Sequence, residues 1–232
     1  MYKKKSILGL IPARGGSKGI FRKNIKLLLG KPLIAWTIEQ TKKSRYIDKV
    51  IVSTDDKEIA KISERYGAEV PFMRPKGLAT DKAKCLDVVL HAIDFMEEKG
   101  EVYDILMLLQ PTSPLRAGED IDNAIKLLFN KNANAIISIC EMEHHPYKAN
   151  TLPPNGCMKK FIKKENLNKN RQELDVFYRE NGAIYLAYCD YIRKQRSFFG
   201  EKTFAYLMPI GRSIDIDSGI DLKLVEVLKK GR

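Results

Sequence analysis

The chain has 232 residues, 44% of them hydrophobic and 30% charged, enough apolar material to bury a core and too much for a disordered chain. Its 41 Lys and Arg outnumber its 29 Asp and Glu, and the resulting net charge of +12 points to anionic ligands. No stretch reaches the roughly 18 uncharged apolar residues of a membrane span, and the run after Lys3-Lys4-Lys5 lacks a signal-peptide cleavage site, so a cytoplasmic protein without a membrane partner is expected.

Residues 6–11 form a continuous apolar run of buried-strand type, followed by the glycine-dense loop Pro12-Ala13-Arg14-Gly15-Gly16-Ser17-Lys18-Gly19. Helical spacing of Leu33, Trp36 and Ile38 marks a helix over 32–43, and Val50-Ile51-Val52-Ser53-Thr54 reads as a second buried strand closed by Asp55-Asp56. The alternation continues with a helix at 57–66, a short strand near 68–72, a helix at 85–98, a strand at 105–109, a helix at 120–129 and a strand at 135–139. Between 144 and 177 it gives way to a Pro-, Asn- and Lys-rich stretch with Pro153-Pro154-Asn155-Gly156 as a hairpin turn. An insertion of that length reads as an arm that packs on a partner subunit or covers a site. Strands at 182–187 and 204–208 and a last amphipathic helix over 218–229 complete one α/β domain spanning 1–232. Cys85, Cys140, Cys157 and Cys189 lie far apart with no C-x-x-C pair, which argues against both a zinc knuckle and a disulfide framework.

Ligands of open α/β sheets bind beyond the carboxyl ends of the strands, and four polar clusters stand at such places. Arg14 to Gly19 offers backbone N–H groups and cations to a phosphate, although its spacing is neither that of a P-loop nor that of a dinucleotide fingerprint; a basic surface turn is the alternative. Gln110-Pro111-Thr112-Ser113-Pro114-Leu115-Arg116 is a proline-fixed loop that either points side chains at a site or caps a helix. In the extended segment Ser213-Ile214-Asp215-Ile216-Asp217, Asp215 and Asp217 share one face while Ile214 and Ile216 turn inward. Adjacent carboxylates repel without a cation, and oxygen ligands at that spacing suit Mg²⁺. The bland reading is that Asp217 or Ser218 caps the final helix. Arg179-Glu180-Asn181-Gly182-Ala183-Ile184-Tyr185 is a polar entry to a buried strand or a simple turn, and Phe198-Phe199 is a core or a ligand-facing pair. His144-His145 is a poor metal pair, because neighbouring side chains diverge. No RNP aromatic signature, zinc-finger spacing or helix-turn-helix pattern is present, so the charge is read as meant for small anions and no nucleic-acid partner is expected.

Taken together, Ile11 to Gly19, Lys23-Asn24, Val52-Ser53-Thr54-Asp55, Leu109 to Arg116, Asn181 to Tyr185 and Asp215-Ile216-Asp217 make a chain that resembles the CMP-sialic acid synthetase (acylneuraminate cytidylyltransferase) family, including CMP-legionaminic and CMP-pseudaminic acid synthetases. The resemblance implies a nucleotidyltransferase-type three-layer α/β/α sandwich with a mostly parallel central sheet. It also implies a homodimer joined by the arm at 144–177, and Mg-dependent transfer of CMP from CTP to a nine-carbon 2-keto sugar acid, releasing pyrophosphate. Carried onto this sequence, Arg14, Gly15, Gly16, Ser17 and Lys23 would hold the nucleotide phosphates and Asn24 and Arg74 its cytidine part. Asp215 and Asp217 would bind Mg²⁺, so that Arg14, Lys23 and the two aspartates carry catalysis. Gln110, Lys148, Arg171, Arg179, Asn181, Tyr185, Phe198 and Phe199 would surround the sugar acid. The alternatives are a transferase for another sugar acid, such as the eight-carbon Kdo, and, from a different class, a non-catalytic nucleotide- or RNA-binding module. The intact acidic pair and glycine loop speak against the second.

Overall fold

The computed structural model describes residues 1–163 and 169–231. Its elements in chain order are β1 (Ile7–Pro12), the two-strand ribbon β2 (Leu27–Leu28) and β3 (Lys31–Pro32), α1 (Leu33–Lys42), β4 (Lys49–Ser53), α2 (Lys57–Arg65), α3 (Cys85–Glu98), β5 (Ile105–Leu108), α4 (Gly118–Asn130), β6 (Ala135–Glu141), β7 (Tyr178–Tyr188), α5 (Cys189–Gln195), β8 (Thr203–Leu207) and α6 (Gly219–Lys230). Six strands form one sheet in the order β4-β1-β5-β7-β6-β8. All pairings are parallel except those of β7, which runs antiparallel to both β5 and β6.

Residue parity along the strands sorts the core into two halves, as the two-residue period of a pleated strand requires. Ile7, Ile11, Ile105, Met107, Ile136 and Leu186 pack with α1, α2 and α4, whereas Leu8, Leu10, Leu106, Leu108, Ile137 and Ala187 pack with α3 and α5. A sheet covered on both faces needs apolar residues at successive positions, and this is why the strands read as continuous apolar runs. The result is a three-layer α/β/α sandwich with a mostly parallel central sheet. α6 docks through Leu222 and Val225 onto a smaller cluster with Leu28, Leu33 and Ile216.

Three expectations are corrected. Residues 68–72 form no strand: only the isolated bridges Ile51 with Glu69 and Thr54 with Met73 are made, because Pro71 and Pro75 supply no N–H donors to extend a ladder. The strand expected at 182–187 starts four residues earlier, and the stretch after it turns into the unanticipated helix α5. Pro153 to Gly156 does turn, with the Gly156 N–H donating to the Pro153 carbonyl at 2.9 Å, but among the described residues no paired strands flank it.

The reversed β7 decides where the arm emerges. Its first residue pairs with the last of β6 (Glu141 with Tyr178), so the insertion leaves the sheet at the edge where β1 and β5 also end. The Met142 N–H donates to the Phe177 carbonyl at 2.8 Å, closing the arm's base. There His145, Tyr147 and Phe177 meet edge to face, with centroids 4.7–5.2 Å apart. Residues 164–168 of the arm fall outside the described ones.

Candidate active site

A cleft of about 500 Å³ opens beyond the ends of β1 and β5, lined among others by Arg14, Ser17, Lys23, Asn24, Arg74, Gln110 and Asp217. One wall is the glycine loop. Asp55 and Asp56, which follow β4, fix it: the Asp55 Oδ1 accepts the Gly15 N–H at 2.9 Å, while Asp56 pairs with Arg22 at 2.9 Å and caps α2 by accepting the N–H groups of Glu58 and Ile59. Asn24 is buried and donates its amide to the Arg14 carbonyl at 2.9 Å, so it shapes the loop from behind. Gly19 is required by close approach: a Cβ there would stand 2.4 Å from the Asp217 carbonyl oxygen, a backbone atom that cannot turn aside. Gly15 is nearly as confined, its Cβ position lying 3.0 Å from Asp56, whereas Gly16 meets nothing within 4 Å.

Arg74 enters from the opposite side on the chain that follows the isolated bridges. It is buried, with its Nε donating to the Ser53 hydroxyl at 3.0 Å and its Nη2 to the Ser53 carbonyl. Burial lowers its pKa from the usual arginine value, with Asp55 opposing that shift. Nearby Cys85, at the start of α3, is exposed and also lines the cleft.

The acidic pair lies on the segment that returns from β8 across the loop after β5, held there by the Ile216 N–H donating to the Thr112 carbonyl at 2.9 Å. Ile216 is buried as alternation demands, and Ile214 packs on the same cluster. The two carboxylates differ sharply. Asp217 is 79% exposed and meets Lys23, whose Nζ donates to its Oδ1 at 3.1 Å and to the Ile216 carbonyl at 2.7 Å. Asp215 is mostly buried, and its Oδ1 has no hydrogen-bond partner. Burial raises its pKa above the ordinary carboxylate value; Thr112 opposes the rise and Asp217 adds to it. The helix-capping alternative falls to a neighbour: Ser218, not Asp217, caps α6 in a capping box with Asp221.

Residues around Gln110 split into contacts and supports. Opposite Ile137 and Ile139 of β6 the register of β7 jumps from Tyr185 to Glu180, which leaves Asn181 to Ile184 in a bulge. Asn181, buried to 1% exposure, fills the broken ladder: its Oδ1 accepts from the Ser138 hydroxyl at 2.6 Å and the Ala183 N–H at 3.2 Å, and its amide donates to the Ser213 hydroxyl at 2.9 Å. With its bonding capacity used inside the protein, Asn181 is a framework residue and not a surface a ligand meets. The bulge puts Gly182 at φ +69°, with its Cβ position 3.0 Å from the Gln110 Oε1 and 3.8 Å from the Asp215 Oδ2, so a side chain there would wedge between them. Arg116 sits beneath at 1% exposure, its Nη1 donating to the Ala183 carbonyl at 2.7 Å.

Arg179 makes a two-point pair with Glu143 at 2.7 and 3.1 Å, which raises its pKa. The Tyr185 hydroxyl donates to Glu180 at 2.9 Å; burial first, then that carboxylate, raises its pKa. The Phe198-Phe199 pair divides: Phe198 is buried against Tyr185, with centroids 5.6 Å apart, and Phe199 is exposed. Lys148 is exposed in a short 3-10 turn, Pro146–Lys148, away from the cleft lining. Arg171 opens another such turn, Arg171–Glu173, and its side chain lies outside the described residues.

A cytidylyltransferase family model matches residues 8–232. The chain belongs to the cytidylyltransferase family. A CMP-N,N'-diacetyllegionaminic acid synthase of Legionella pneumophila is 36% identical over 96% of this chain and 95% of its own length. A pseudaminic acid cytidylyltransferase of Campylobacter jejuni is 33% identical over 96% of both chains. An N-acylneuraminate cytidylyltransferase of Escherichia coli is 35% identical over 97% of this chain and 52% of its own length. Among solved structures, CMP-2-keto-3-deoxy-manno-octonic acid synthetase in complex with CTP superimposes with a TM-score of 0.71 at 16% identity, covering 97% of this chain and 99% of that one, and so shares the fold.

Two features of this cytidylyltransferase site escape sequence reading. Asp55, part of a segment that carries the resemblance, and Asp56 after it read in the sequence only as a strand ending, yet they anchor the glycine loop. Asp81 carries no motif signal; it lines the cleft and pairs with both Arg14 and Lys18 at 2.8 Å. Among the described residues no helix is long and apolar enough to cross a membrane.

Proposed function

We propose that this cytidylyltransferase joins the CMP moiety of CTP to the anomeric hydroxyl of a nine-carbon 2-keto sugar acid and releases pyrophosphate. The observation that carries this reading is the meeting, in one cleft, of the glycine-loop cations with the Asp217 carboxylate, two residues from the half-buried Asp215, in a chain whose full-length relatives bear the names of legionaminic and pseudaminic acid enzymes. Attack of the hydroxyl on the α-phosphorus in line with the leaving pyrophosphate asks the protein mainly for positioning and charge neutralisation. Arg14 and Lys23 offset charge on the departing pyrophosphate. Gln110, beside Gly182, and Tyr185 face the acceptor, while Arg179, oriented by Glu143, supplies positive charge near Asp215.

The residues present fit a divalent cation. The donor set is all oxygen, the buried Asp215 Oδ1 has no partner, and the exposed Asp217 stands at the cleft. Among the described residues no group of three or more metal-ligating side chains occurs. Phosphate oxygens and water would then complete the shell, as is usual for Mg²⁺. Held by Asp215 and Asp217, Mg²⁺ would supply charge neutralisation at the α-phosphate and a lowered pKa for an oxygen bound beside it. Lys23 would then be free to leave Asp217 for the phosphates.

The arm at 144–177 is read as the dimer contact, since Leu152, Met158 and Val176 on it are exposed. The test of the whole reading is pyrophosphate release with Mg²⁺ from CTP, ATP, GTP and UTP against N-acetylneuraminic, legionaminic, pseudaminic and Kdo acids. Release restricted to CTP with a nine-carbon acid is the expected result. Turnover of Kdo alone, or none with any acid from folded protein, would overturn it.

A further inference from the structure

Between Arg74 and α3 the chain lines the cleft as a strap, residues 75–84, through Leu78, Thr80, Asp81 and Ala83. Its backbone hydrogen bonds stay local: Leu78 to Pro75, Ala79 to Lys76 and Ala83 to Thr80. Among the described residues, the hydrogen bonds or ion pairs that tie this strap to the glycine loop on the facing wall are those of one side chain, Asp81. Its Oδ1 takes the Arg14 Nη1 at 2.8 Å and its Oδ2 takes the Lys18 Nζ at 2.8 Å. The two cations hold its carboxyl below the ordinary aspartate range, with Lys18 the larger cause.

An anion whose two oxygens each accept from a different loop cation is held as a phosphate would be held there. We infer that Asp81 is a gate residue: its carboxylate occupies the polyphosphate's cations in the nucleotide-free protein, drawing the strap across the cleft mouth, and is exchanged for phosphate oxygens when the nucleotide enters. This inference rests on the reading of the cleft as a triphosphate site. Its physical basis is competition. A protein whose binding-competent state is only a fraction of the population shows an affinity lowered by that fraction, and Asp81 sets the fraction. The pairs are exposed enough to be weak and screened by salt, as an exchangeable contact requires; a buried bidentate pair would lock the cleft.

The test is calorimetric titration of CTP into wild type, Asp81→Asn and Glu98→Gln, without metal, at low and high salt. Glu98→Gln makes the same charge change at the far end of α3 and leaves the cleft untouched. The gate requires Asp81→Asn to bind CTP severalfold more tightly than both wild type and Glu98→Gln at low salt, with the ratio shrinking toward one as salt rises. Equal affinities in Asp81→Asn and Glu98→Gln would overturn it. So would weaker binding in Asp81→Asn, which would make Asp81 an organiser of the loop cations or a direct ligand contact. Binding by wild type with no gain in Asp81→Asn defeats the gate alone, whereas no binding by wild type defeats the cleft reading with it.

Discussion

The two ends of the site are built differently. At the nucleotide end each polar support is internal to one chain: Asp55 on the Gly15 N–H, Asn24 on the Arg14 carbonyl and Ser53 on Arg74. At the end proposed for the acceptor Lys148 and Phe199 are exposed, and the base of the arm is closed by the Met142–Phe177 backbone bond and by three rings that meet edge to face. If the proposed function holds, the contrast separates the half of the chemistry that one chain supports by itself from the half that it does not. Under the proposed function, a preorganised nucleotide end would serve every acceptor, while an acceptor end finished by a second subunit would be free to differ.

That contrast is sharpened most by Asp217→Ala. With 79% exposure the side chain contributes little to packing, so turnover is expected to fall about 10²- to 10³-fold, the range for losing one electrostatic stabiliser, at unchanged melting temperature. Pyrophosphate release and thermal unfolding measure both parts; near-normal kcat would remove Asp217 from the chemistry. Asn181→Ala should do the opposite, losing about 2 kcal/mol of stability because the buried amide's bonds to the Ser138 and Ser213 hydroxyls and to the Ala183 N–H are lost together, although each hydroxyl keeps another partner. Denaturant melts report it, and an unchanged midpoint would mean that the bulge does not depend on that amide. Next comes Phe199→Ala together with Lys148→Ala: the KM for the sugar acid should rise by roughly tenfold, the worth of one lost apolar or charged contact, while the KM for CTP stays put. A parallel rise in both would erase the division between the two ends.

The smallest effect is a matter of pH. Arg179 lowers the pKa of Glu143 below its usual 4.5, so their pairing contributes stability above that value and loses it as the pH falls through the folded pKa. Glu143→Gln should therefore cost under about 1 kcal/mol at pH 7, as partly exposed pairs do, and less at pH 3. Equal melting-temperature losses at both pH values would show that the pair acts through packing.

Much of this was legible in the residues. Continuous apolar runs gave away the buried strands because both faces of the sheet are covered, and glycine density after β1 announced the loop whose backbone must pass within contact distance of Asp217. What the sequence hid has physical reasons. Residues 68–72 look like a strand, but a ladder cannot extend past two prolines. The polar start of β7 looks like a turn because its unmet ladder bonds are made by Ser138 and Asn181 side chains, which no periodicity records. Asn181 was legible as special and illegible in role: a ligand contact and a framework amide carry the same letter. Asp81 gave no signal because an exposed aspartate near lysines is commonplace, and only the fold shows that it spans the cleft.

The reversal of β7 has one more consequence. Because β6 ends and β7 begins at the edge where β1 and β5 also end, the inserted arm leaves the sheet on the side of the cleft, and its two roots, Met142 and Phe177, are already bonded to each other. Segments of different length and composition can be spliced between those roots without disturbing a single strand register. Under the proposed function the arm would be a replaceable cassette beside the nucleotide cleft, and exchanging the residues between those two roots with those of a relative that uses another acid would show whether acceptor choice moves with it.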